Sequence, residues 1–229
     1  LLDENVTLEE PEAKIAWFKT KAIGENYLAI DDAAGRGLYK AMWNYYHDGK
    51  NVNKGIKFSI NTGDGLGLFN VYTCFTEDHP ELSWMRGCGV GMAAGSNGRT
   101  YCYMHPSYDY NASEVIRNFN TVENSDRYPN LLKKVKKGKT TADTLDNIVR
   151  VICANLAYTE DKDKNGNYSS KYRDAAYVIN QSEKHECVCV GYAYTFKMMC
   201  NYFGIDCVNV GGDAEGGHEW NYVKVGKKY

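Results

Sequence analysis

Along several stretches of the chain apolar residues recur at helical spacing, and along others they alternate with polar ones. Leu38, Met42, Trp43 and Tyr46 cluster on one side of a helix predicted over Asp31–His47, which Asp48-Gly49 then ends. A second amphipathic pattern predicts a helix over Pro11–Tyr27, and Leu68, Val71, Tyr72 and Phe75 predict one over Asp64–Thr76. Gly55–Ile60 alternates as a short strand. Trp84–Ala93 and Arg99–Met104 read as two more strands, joined by the turn-rich Gly95-Ser96-Asn97-Gly98. Glu114–Lys137 is charged and reads as a helix whose basic end, Lys133 through Lys139, faces solvent. Thr140-Thr141-Ala142-Asp143 has the form of a helix start, followed by an apolar stripe of Leu145, Ile148, Val149, Ile152 and Leu156. Further on, Tyr192, Ala193, Phe196, Met199, Cys200 and Phe203 share a helix face that Gly204 closes. Ile205–Val210 has the β-branched content of a buried strand, and His218–Val225 alternates as another, with His218, Trp220 and Tyr222 on one face.

Strands and helices in this mixture predict an α+β protein. A chain of 229 residues accommodates one large domain or two modest ones, and 43% hydrophobic content is that of a globular protein. The net charge of -2 supplies no basic field, so nucleic acid is not an expected partner. The apolar runs are far short of a membrane span, and the opening Leu-Leu-Asp-Glu-Asn lacks signal-peptide features, though it fits the mature end left after one is removed. Nineteen tyrosines against seven phenylalanines, with many Asn and Gly, resemble exported bacterial proteins, so a secreted or cell-surface location is expected.

Eight cysteines invite a disulfide framework, yet Cys74, Cys153 and Cys200 fall on apolar faces of predicted helices, where a reduced cysteine acts as a small hydrophobe. Cys88 and Cys102 lie on consecutive strand-like runs, where a hairpin pairing is the minority expectation. Cys187-x-Cys189 lacks the spacing of a zinc site. Asp161, Asp163 and Asn165, followed by Gly166, repeat the opening spacing of a calcium loop, but Tyr172 stands where the bidentate Glu is needed. A solvated Asx and Gly turn is the preferred reading, and no cofactor is required, with calcium kept as a side expectation.

The reactive candidate is Cys189. If the helix through Phe203 begins there, the thiol stands among unsatisfied backbone N–H groups at the positive end of the helix, a seat that favours thiolate. Gly191 reads as room for a close approach to the thiol, and His218, after Gly216-Gly217, is the candidate base on a downstream strand. Trp220 is expected to floor the cleft, with Tyr192 and Gly217 as further substrate-contacting candidates.

Cys189-Val-Gly-Tyr-Ala193, Gly204-Ile205 and His218-Glu-Trp-Asn221, in that order, resemble the core of the transglutaminase-like superfamily, in its bacterial branch related to papain-like thiol enzymes. The resemblance implies a nucleophile helix packed on an antiparallel sheet, spanning 139–229, behind a smaller α+β accessory region at 1–138. It implies Cys189 as nucleophile and His218 as base, and passes over Cys187. A looser likeness, to a segment that precedes this core in bacterial surface proteins, covers Leu38-Tyr39 and Glu77-Asp78-His79-Pro80-Glu81. The family completes its triad with an aspartate on the strand after the histidine, a few residues past a turn such as Gly226–Tyr229. Without it, weak or no turnover is expected of these residues, and an open sheet edge beside His218 is expected to recruit another chain. Asn221 is a poor substitute, since three positions from His218 it faces the other way. The activity implied is acyl transfer on protein or peptide amides through a Cys189 thioester, peptidase, amidase or transglutaminase in type. The alternative is a non-catalytic surface binding module on a degenerate core.

Overall fold

Asp32 opens the first well-defined helix by accepting the Gly35 N–H at 2.6 Å, satisfying one of the donors that a helix start leaves without an intrahelical partner. The helix, α1, runs Ala33–Tyr46, close to expectation. This computed structural model describes residues 21–47, 51, 54–60, 65–85, 87–95, 100–107, 113–114, 117–118, 127–181, 185–214 and 216–229. Most of the helix expected over 11–27 therefore lies outside the described residues. Its far end is a short 3-10 turn, Asn26–Ala29.

With α1, helix α2 (Gly65–Asp78) covers a three-stranded antiparallel sheet of β1 (Ile56–Ile60), β2 (Cys88–Ala94) and β3 (Thr100–Pro106), in the order β1-β3-β2. Leu38, Tyr39, Met42 and Trp43 from α1 and Phe75 from α2 meet Phe58, Cys102 and Met104 from the sheet in one apolar core. One expectation is corrected here. Trp84 is not on a strand: Pro80–Met85 is a 3-10 stretch whose residues are all buried, so it carries no strand-like alternation, and β2 starts only at Cys88. Cys88 and Cys102 are both free thiols, because the register sets Met92 opposite Cys102 and Pro106 opposite Cys88.

The second unit begins with α3 (Arg127–Lys133), shorter than the helix expected to Lys137, because the chain turns after Lys133 with Lys134 and Val135 N–H groups bonding back to Leu131 and Leu132. Tyr128, Leu131, Leu132 and Val135, upstream of the boundary read near Gly138, belong to the second core. Helix α4 (Thr141–Asn155) opens with a full capping box, Thr140 and Asp143 each bonding the other's backbone N–H. Cys153 on this helix is exposed rather than packed, whereas Cys200 is buried and Cys74 half-buried. There follow β4 (Leu156–Tyr158), α5 (Ala175–Asn180), β5 (His185–Cys187), α6 (Cys189–Phe203), β6 (Cys207–Asp213) and β7 (Gly217–Val223). Strands β4 and β5 pair in parallel; β6 and β7 form an antiparallel hairpin that α6 packs against, giving the predicted α+β arrangement of helix on antiparallel sheet. Gly204, at φ 70°, ends α6 in the left-handed conformation that glycine adopts without strain. The two units meet where Ser83 Oγ takes the Ala175 N–H at 2.7 Å and donates to Asp174 Oδ1 at 3.2 Å.

Candidate active site

Cys189 is the first residue of α6. Val188 before it is extended, at φ -107° and ψ -178°, and offers no side-chain cap to the N–H groups of the first turn. The entry into the helix is held from behind: Val188 N–H donates to the Tyr172 carbonyl at 3.1 Å and Thr159 N–H to the Cys187 carbonyl at 3.0 Å. Gly191 serves this packing, not access to the thiol. A Cβ there would stand 2.6 Å from both Cys187 Cβ and the Tyr172 carbonyl oxygen, so the residue faces inward and lets the first turn seat against the chain behind it. Cys187 is fully buried, and burial, reinforced by Cys189 and Glu186, pushes its thiol up to about 12, leaving it protonated and inert at neutral pH.

The parallel register of Tyr158 opposite Cys187 delivers a tyrosine that the sequence reading passed over. Its hydroxyl stands near the Cys189 backbone N–H and thiol. Desolvation first, and then the neighbouring Cys189, raise it above the ordinary phenol range. The ring stacks on Tyr192, centroids 6.3 Å apart and planes at 17°, while Tyr168 meets it edge-on at 6.0 Å. The apolar stripe of α4 runs straight into Tyr158, but in sequence this tyrosine looks like any residue after a helix.

On the hairpin, Asn221 Nδ2 reaches α6, donating to the Ala193 carbonyl at 3.1 Å and to Asn209 Oδ1 at 2.5 Å. That identifies the helix-facing side of β7, and alternation assigns His218, Trp220 and Tyr222 to the other. His218 is exposed and stacks on Trp220 with centroids 6.0 Å apart and planes at 27°. The Trp220 ring lies over Gly212, where a Cβ would stand 2.4 Å from its Cη2.

These pieces share one groove. A cavity of about 460 Å³ between α4, α6 and the edge of β7 is lined by Cys189, His218, Tyr158, Tyr192 and Trp220, with Val149, Ile152, Phe196 and Val223 forming its apolar wall. Cys189 and His218 both line this groove, one from α6 and the other from the exposed face of β7, and no hydrogen bond joins their side chains among the described residues. Trp220 and Tyr192 line it; Gly217 is exposed at the start of β7, outside the lining. Asn221 is committed to Ala193 and Asn209 and does not orient His218.

The candidate calcium loop is an Asx turn: Asp163 Oδ1 accepts the Asn165 and Asn167 N–H groups at 2.8 Å each, and Gly166 takes a φ of 82°. Asp161 instead accepts the Tyr172 hydroxyl. Among the described residues, no cluster of three or more His, Cys, Asp or Glu side chains is arranged to hold a metal ion. None of the described helices is long and apolar enough to cross a membrane.

Residues 129–229 match the family model of the transglutaminase-like superfamily. No curated protein matches the chain.

Proposed function

The segment 129–229 belongs to the transglutaminase-like superfamily, and from that premise we propose that this chain is a thiol enzyme transferring acyl groups from protein or peptide amides through a thioester on Cys189. The observation that carries the reading is the seat of Cys189 as first residue of a helix, beside the Tyr158 hydroxyl and in one groove with His218. The thiolate attacks the amide carbonyl, and the C–N bond breaks once His218 has given its proton to the departing amine. Two donors suit the negative oxygen formed on the way: the Cys189 N–H and the Tyr158 hydroxyl, which already stand together. The thioester then passes its acyl group to water or to an amine. The apolar wall and aromatic rim favour a peptide over a charged small molecule, and a secreted or surface enzyme of a bacterium is part of the same reading.

The test is direct. Protein incubated with a mixture of peptide amides and quenched in acid is weighed intact, and a mass gain equal to an acyl group, mapped to Cys189 and absent from Cys189→Ala, is the expected result. A wild-type protein that never gains mass, and whose Cys189 reacts with iodoacetamide no faster than a free thiol, overturns it. The second reading, a binding module without turnover, draws on the exposure of His218 and its lack of a bond to Cys189. It predicts peptide retention with unmodified Cys189.

A further inference from the structure

The stretches Leu38-Tyr39 and Glu77–Glu81, grouped upstream of the core in the sequence, converge in the fold on one side chain of the nucleophile helix. Lys197 stands about two turns beyond Cys189 on α6 and is fully buried, where an ammonium persists only when paired. Its Nζ donates to the Glu77 carbonyl at 2.7 Å and lies 3.7 Å from Asp78 Oδ1 and 3.9 Å from Glu25 Oε2. Asp78, buried as well, is held by the first unit: it accepts the Asn26 N–H at 2.9 Å, the Tyr27 N–H at 3.1 Å and the Tyr39 hydroxyl at 2.8 Å. The Tyr39 oxygen is 3.1 Å from His79 Nε2, and His79 Nδ1 is 3.3 Å from Glu81 Oε1. The acidic motif is therefore a socket, and the peg that enters it comes from the helix bearing the thiol.

We propose that Lys197 is a positioning residue: bound by Asp78 and the Glu77 carbonyl, it fixes the depth and rotation of α6 on the first unit, and so the stance of Cys189 toward Tyr158 and His218. Apolar packing between the units is non-directional and would let a helix settle over a range of positions. A buried, bonded ammonium admits one, because displacement strands both charges away from water. The consequence for Cys189 rests on the thiol-enzyme reading; the docking of the helix does not.

The test uses full-length Cys153→Ser protein, to silence the exposed thiol, with Lys197→Met, Asp78→Asn, both together, and separately Tyr39→Phe. Three quantities are measured below the melting temperature: the rate of Cys189 alkylation by iodoacetamide across pH, hydrogen exchange in the first turn of α6, and the thermal midpoint. Each single variant at the ion pair is expected to slow alkylation about tenfold, as a displaced reacting group does, and to speed exchange. The double variant is expected to be no worse than the worse single, since the two residues act as one unit. A role confined to stability would lower the midpoint alone and leave alkylation of the folded protein unchanged, which overturns the proposal. If Lys197→Met does not fold, Tyr39→Phe decides: slower alkylation upholds the proposal, and the wild-type rate sinks it. Failure of the enzyme reading looks different, with Cys189 unreactive in every protein. Then non-additive exchange at α6 still upholds the positioning of the helix, and additive exchange overturns it.

Discussion

Tyr158 and Tyr192 stack with ring centroids 6.3 Å apart, and this contact between β4 and α6 sets a phenol hydroxyl near Cys189. The ring sets the place, and in the proposed mechanism the hydroxyl donates to the oxyanion, so the two are separable. Tyr158→Phe keeps the stack and is expected to lower kcat roughly 100-fold with KM little changed, the scale of losing one oxyanion donor. Steady-state kinetics on a peptide amide checks it.

Cys187 and Cys189 are neighbours with opposite fates. At neutral pH iodoacetamide is expected to label Cys189, and Cys153 more slowly, while Cys187 stays unmodified until the protein unfolds, being buried with its thiol pushed up to about 12. Peptide mapping after brief labelling reads the order.

The same burial makes the fold sensitive to alkali. Unfolded, Cys187 loses its proton near 9, but folded it keeps it to about 12. The unfolded state therefore binds fewer protons between these values, and stability falls as pH rises through that window. Below pH 9 this contribution is fully present. Buried Tyr72 and Tyr128, raised well above 10 by desolvation, act in the same direction at higher pH. Urea midpoints from pH 8 to 11 should decline for the wild type and decline less for Cys187→Ala.

Gly191→Ala is expected to cost about 1–3 kcal/mol, because its Cβ has backbone on one side and Cys187 on the other and neither yields cheaply. Equilibrium unfolding in urea measures it, and the first turn of α6 should show faster hydrogen exchange.

Gly212→Ala acts on the proposed base instead. Its methyl would occupy space now held by the Trp220 ring, and Trp220 carries His218 stacked on it. The variant should fold normally, shift the tryptophan emission and lose roughly 100-fold in kcat, the lower end of what general acid–base catalysis contributes.

Much of this protein is legible along its chain. Helices α1, α2, α4 and α6 follow from apolar spacing with Asp32, Thr140 and Gly204 as their caps, since a helix's face and its ends are local properties. Cys189 and His218 stand out by residue type and order, and both line the groove. Other features follow from contacts distant in sequence. Trp84 has strand propensity, but Pro80 and the burial of every residue to Met85 impose a 3-10 turn. Tyr158 becomes a site residue only because β4 pairs in parallel with β5, beyond the reach of any local pattern. Lys197 would read as a solvated helix charge until the Glu77 carbonyl and Asp78, more than a hundred residues earlier, close over it. The sequence by itself determined the segments and the candidate reactive groups, because both depend on neighbours a few residues away. The partners of those groups were decided by the tertiary structure alone, because burial and pairing are properties of surfaces that meet only when the chain has folded.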